Sequence, residues 1–221
     1  MMRAPRACYV TNMSDLSRTV HEEQLPLEDL QPVPTPVINL GHLSLLDSKT
    51  RSRVIDDIAK ACRDLGYFQV INHGINQSVM DNAVKAASAF FKLPNETKEE
   101  FASDDLRQPG LEVANRSSNS WKMVQQLPHA LHVHIGDNME VLSNGRIKTV
   151  VHRAVLNPKE GRISIASIHG FALHENVTCA KEFVDEQNPQ KYKESSFTDF
   201  LDHLTANMDN KHRNFLESLR K

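Results

Sequence analysis

The chain has 221 residues and a mass of 25.0 kDa, enough for one domain or one and a half. A hydrophobic share of 39% and a charged share of 24% supply a core and exclude wholesale disorder. A net charge of −2 leaves no broad basic surface for nucleic acid, and a mean hydropathy of −0.47 without a long apolar run excludes a membrane span.

Residues 1–35 read as an extended polar arm. Its first ten residues hold Arg3 and Arg6 but no apolar run, so no secretory signal is expected. Few early acids fit a transit peptide, but Asp15 and the acidic run from Glu22 argue against one. Cys8, Cys62 and Cys179 are odd in number and lack metal or redox spacing, which points to a reducing compartment. A cytoplasmic location is the expectation. The arm ends in Pro26, Pro32, Pro34 and Pro36, which remove donors and oppose helix.

Pro36 to Leu40 then reads as a short strand. The spacing of Val54, Ile58, Cys62 and Leu65 predicts a helix over 49–65, with Gly66 as its left-handed stop. Tyr67 to Ile71 reads as a buried strand, closed by a turn at Asn72-His73-Gly74. A second helix is predicted over 77–91, capped by Asn76, with Met80, Val84, Ala87 and Phe91 as its apolar stripe. Pro94 ends it, and Asn95 opens a short third helix through Phe101.

From Gly110 the pattern turns to strands: 111–113, 121–124, 130–135, 147–155 and 162–167. Asn144-Gly145 is a hairpin signal. Helical character returns over 196–204 and again over 214–221. The layout is α+β, helices first and an antiparallel unit second.

Two blocks together resemble one family. The first is Pro36 to Leu40, the helix, and Gly66-Tyr67-Phe68-Gln69-Val70-Ile71-Asn72-His73-Gly74. The second is Ile135-Gly136-Asp137, Leu142 to Arg146, Val151-His152-Arg153-Ala154-Val155 and Arg162 to Ser167. Both are similar to plant 2-oxoglutarate- and Fe(II)-dependent dioxygenases, of the flavanone 3-hydroxylase and salicylate-hydroxylating downy-mildew-resistance types. The resemblance implies a dioxygenase N-terminal module over 36–107 and the C-terminal part of the catalytic domain over 110–205. A tail at 206–221 follows. The fold it implies is an incomplete double-stranded β-helix, or jelly roll.

The same resemblance implies the chemistry. Ferrous iron in this family takes two histidines and one carboxylate on one face of an octahedron. An H-x-D pair supplies one histidine and the acid, and a distal histidine completes the set. His152 matches the distal metal ligand. Arg162 and Ser164 match the pair that holds the far carboxylate of 2-oxoglutarate, a task for which the planar guanidinium suits better than an ammonium. The ten-residue step from His152 to Arg162 suggests adjacent strands of a hairpin-like pair. Fe(II), 2-oxoglutarate and ascorbate are the cofactors implied, and a flavonoid or phenolic small molecule is the substrate class.

No His-x-Asp occurs anywhere in the sequence. Its place should precede Gly110, but Asp104-Asp105-Leu106 runs almost directly into that stretch. The junction reads as an internal deletion or a skipped exon that removed a block of domain size. No catalytic residue is therefore assigned, and oxygenase activity is not expected from this chain. A non-catalytic product associating with a full-length relative, and a mis-spliced chain without a stable fold, are the other readings. His132 and His134, with Asp137 nearby, depart from the family's apolar and amide residues; they are read as histidines without metal. His73 and Trp121 are read as structural.

Overall fold

A computed structural model of the chain describes residues 6–12, 34–94, 110–115, 120–155, 163–206 and 214–221. The short helix predicted from Asn95 lies outside these residues, as does Arg162. Among the described residues eight strands form three small sheets. β1 (Arg6–Asn12) pairs with β8 (Ile163–His169). β2 (Val37–Asn39), β3 (Tyr67–Ile71) and β6 (Leu131–His134) form the second sheet in the order β2-β3-β6. β5 (Ser120–Met123), β4 (Gly110–Asn115) and β7 (His152–Val155) form the third in the order β5-β4-β7.

The first helix, α1 (Ser48–Asp64), begins where Asp47 accepts hydrogen bonds from the Lys49 and Thr50 amides. That satisfies two of the amides a helix start leaves unpaired. Val54, Ala61 and Cys62 are buried on its inner face, while Ile58 is half-buried and Ile55 faces solvent. Gly66 ends the helix at φ +80°, and a Cβ there would run into the Lys148 carbonyl oxygen. Only glycine meets both demands.

β3 follows at once and is the centre of the fold. Phe68 and Val70 point into one cluster with Ile38, Val54, Ala61 and Cys62. Tyr67 points the other way, into a cluster with Val113, Val124 and Val150. A strand covered on both faces reads as an unbroken apolar run, which is why alternation is absent here. Its one polar residue, Gln69, is 1% exposed. The Gln69 side chain donates to the Gln125 carbonyl at 2.8 Å and accepts from the Leu127 amide at 3.2 Å, holding the segment that leads into β6.

The second helix, α2 (Gln77–Phe91), has its expected bounds, and Asn76 caps it by accepting from the Ser78 amide. Its stripe is covered only in part. Ala87 is buried and Met80 and Phe91 are half-buried, but Val84 remains 46% exposed. α2 packs against β1 and β8, and that two-stranded pair is too narrow to cover the whole face.

Asn144-Gly145 does not make a hairpin. The residues before it form a helix, α3 (Asp137–Leu142), and the pair ends that helix with φ values of 51° and 79°. The Gly145 amide donates to the Glu140 carbonyl at 2.8 Å. Two consecutive left-handed residues suit a tight strand turn and a helix stop equally, and here the helix claims them. The Asn144 side chain is buried, donating to the Phe183 carbonyl and accepting from the Lys191 amide. The strand expected over 147–155 is shorter and starts at His152.

The C-terminal part forms a cluster of its own. Val141, Val177, Cys179, Tyr192, Leu216 and Leu219 are buried together. α4 (Phe197–Ala206) and α5 (Phe215–Ser218) lie near their predicted places; α5 supplies Leu216 to the cluster, and the Phe200 ring of α4 meets Phe215 edge to face.

Candidate functional site

β6 and β7 bring the candidate histidines together. In the antiparallel β3–β6 pair Tyr67 stands opposite His134 and Gln69 opposite His132. Residues two apart on a strand share a face, so both histidines lie on one side of β6. The His152 ring meets the His134 ring edge to face, with centroids 4.7 Å apart. The Tyr67 ring lies 6.3 Å from His134. The register and these two ring contacts join β3 and β6 to the first residue of β7.

His152 Nδ1 lies 3.1 Å from the Val150 carbonyl oxygen. A proton on Nδ1 donates to that oxygen and leaves Nε2 as the acceptor. Burial, reinforced by the His152 and His132 imidazoles, pushes His134 down from 6.5 to about 4. His134 is therefore neutral at pH 7. Burial also raises the Asp137 carboxyl at the start of α3, against a hydrogen bond from Thr149 that lowers it.

A ferrous centre of the type implied by the resemblance needs three side-chain donors converging on one point. Among the described residues no group of three His, Cys, Asp or Glu side chains is arranged to hold a metal ion. His132, His134 and Asp137 form no such group, and neither do His134 and His152 with a third donor. The described residues do not fit a two-histidine, one-carboxylate iron site.

His152 and Ser164 stand on different sheets. β7 pairs with β4, placing His152 opposite Val113, whereas β8 pairs with β1, placing Ser164 opposite Thr11. The expectation of adjacent strands concerns His152 and Arg162, and Arg162 lies outside the described residues; among the described residues β7 and β8 do not pair.

Two buried carboxylates escaped the sequence reading. Glu112 on β4 accepts from Arg153 Nε at 2.7 Å, and the Arg153 guanidinium lies 4.2 Å over the Trp121 ring. This cross-strand ladder explains Trp121 as sheet packing. Glu140 on α3 accepts from the Thr149 amide at 2.7 Å and from the Tyr192 hydroxyl at 2.9 Å. Burial and the Glu140 charge push the Tyr192 phenol up to about 12. Neither carboxylate carries a local signature, because each is matched by residues remote in sequence.

Comparison with known proteins gives one consistent result. Residues 35–143 match the family model described as non-haem dioxygenase in morphine synthesis N-terminal. Flavanone 3-dioxygenase 3 of Oryza sativa subsp. japonica is 50% identical over 325 residues, covering 94% of this chain and 100% of the relative. The chloroplastic 2-oxoglutarate-dependent dioxygenase 21 of the same species is 36% identical, covering 86% and 92%. Among solved structures, the rice dioxygenase for auxin oxidation aligns with a TM-score of 0.70 at 17% identity, covering 85% of this chain and all of that one. JOX2, solved with 2OG, Fe and JA, aligns with a TM-score of 0.65 at 19% identity, covering 86% and 90%. The fold is that of the 2-oxoglutarate oxygenases, and its sheets are the incomplete counterpart of their jelly roll. The chain belongs to the plant 2-oxoglutarate- and Fe(II)-dependent dioxygenase family.

Proposed function

We propose that this chain is a non-catalytic member of its family, in which the cosubstrate end of the site survives and the iron end does not. The observation that carries this reading is the lack of any His-x-Asp in the sequence. His152 alone matches a family iron ligand, and one imidazole cannot hold ferrous iron against water. The alignment with the rice flavanone 3-dioxygenase 3 runs over 325 residues against 221 in this chain, which supports an internal block having been lost. Outer hydrogen bonds such as that from His152 to Val150 orient a ligand but do not replace missing ones. Arg162 and Ser164 are read as the remaining anchor for the far carboxylate of 2-oxoglutarate.

The test is turnover. Purified protein with Fe(II), 2-oxoglutarate and ascorbate is expected to release no succinate above a protein-free control. Succinate that rises with protein concentration and vanishes in His152→Ala contradicts the reading.

A second reading is favoured by the 50% identity to a flavanone 3-dioxygenase: hydroxylation of a flavonoid or phenolic small molecule. The same assay with a flavanone present separates the two, since only the second reading gives hydroxylated product. A cytoplasmic non-catalytic chain has a natural partner in a full-length relative. Co-purification of the two from a mixture of the pure proteins supports that association, and separate elution opposes it.

A further inference from the structure

β8 has an unusual neighbour. All seven of its residues pair in an unbroken antiparallel register with the N-terminal arm, from Arg6 opposite His169 to Asn12 opposite Ile163. No third strand joins this sheet among the described residues. The sequence reading left the arm unpaired.

The chemistry of β8 explains why it needs cover. Ile163-Ser164-Ile165-Ala166-Ser167-Ile168 has no charge, no proline and no glycine. Such a segment on an open edge is a template for pairing with another chain. Ile165 and Ile168 remain 36% and 52% exposed, so packing from the rest of the fold does not bury it. The arm strand suits the edge. Tyr9, Val10 and Thr11 favour extended backbone and stand opposite Ala166, Ile165 and Ser164.

The arm meets the fold at β8 and against α2, and it stands outside the other two sheets. The chain re-enters at β2, whose pairing with β3 begins at Val37, and Pro26, Pro32, Pro34 and Pro36 lie between. The hydrogen bonds of the other two sheets do not involve residues 6–12. As part of the same chain, the arm has the advantage of an intramolecular ligand over a second copy in competing for β8.

We propose that β8 is a strand-binding site whose resident ligand is the chain's own residues 6–12, and that this occupancy keeps a second copy of the chain from pairing there. The ligand class is an extended, largely uncharged, β-favouring peptide. The proposal holds whether or not the chain binds iron.

Ser167→Cys tests it, because Cys8 stands directly opposite position 167. Antiparallel partners lie about 4.5–5.5 Å apart at Cα, within disulfide range. The other free cysteines, Cys62 and Cys179, are buried. Mild oxidation of dilute Ser167→Cys protein is expected to give a monomer in which Cys8 is bonded to the introduced thiol. Ile168→Cys, one step out of register, is expected to give none. A bond formed only between copies, or equal bonding in both variants, overturns the proposal.

The second arm uses the double variant Tyr9→Pro, Val10→Pro. Neighbouring residues of a strand aim their amides to opposite sides, so one of the two prolines removes a donor to β8. The variant is expected to self-associate at micromolar concentration by light scattering, and a synthetic peptide of residues 6–12 is expected to return it to monomer. A variant that stays monomeric without the peptide overturns the proposal.

Discussion

In β3 four of five residues are buried, whereas in β8 five of seven are exposed, although both read as strands in the sequence. The difference lies in their neighbours. β3 has a strand on each side, α1 over one face and Val113, Val124 and Val150 over the other. Among the described residues β8 has one neighbouring strand, supplied by the chain's own arm, and the partial cover of α2. A strand's composition states what it can bury, and the surrounding chain decides how much of that is realised.

Removing Phe68 strikes the complete side of this comparison hardest. Phe68→Ala is expected to cost about 3–5 kcal/mol in chemical denaturation. Ile168→Ala on β8 is expected to change stability by no more than about 0.5 kcal/mol. Equal costs would erase the contrast between the two strands.

Gly66→Ala should come next. It forces a Cβ towards the Lys148 carbonyl oxygen at a positive φ, where α1 hands over to β3. The expected loss exceeds about 2 kcal/mol, combining backbone strain with the clash. A neutral outcome in the same denaturation experiment would show that the α1–β3 junction is looser than described.

The C-terminal cluster offers a smaller lever. Tyr192→Phe removes the hydroxyl that donates to buried Glu140 and is expected to cost about 1.5–3 kcal/mol. Because the folded phenol is raised to about 12, its contribution is complete below pH 10 and fades as pH climbs through 12. A wild-type protein that loses this contribution already by pH 10, judged against Tyr192→Phe, would remove the hydrogen bond from consideration.

A pH-dependent effect is expected at His134. Its folded value near 4 lies below the unfolded 6.5, so the unfolded chain binds the extra proton first. Stability is unaffected above pH 6.5 and falls as pH drops from 6.5 to 4. The loss between pH 6 and 5 is about 1 kcal/mol, allowing for the partial exposure of the ring. His134→Asn is expected to flatten that slope, and an unchanged slope would assign it to other groups.

Local chemistry made part of this molecule readable in advance. α1, β3 and α2 follow from helical spacing, the Asn76 cap and an apolar run, each contained in a few consecutive residues. Asn144-Gly145 was misread because its two left-handed residues serve two kinds of stop, and only the helix upstream distinguishes them. β1 was missed because its strand character depends on a partner far away in the sequence. The candidate site divides in the same way. His152 and Ser164 were both legible as strand residues, but their assignment to different sheets was not. The contact between His134 and His152 depends on how β6 and β7 meet, which no spacing encodes.

Iron binding itself can be measured without turnover. Anaerobic titration of the whole protein with Fe(II) in the presence of 2-oxoglutarate, followed by visible absorption, reports a metal held together with its keto acid. The expected result is no absorption beyond that of iron and 2-oxoglutarate mixed without protein. A saturable band at one iron per chain, lost in His152→Ala, would mean that this chain builds an iron centre despite lacking the His-x-Asp pair.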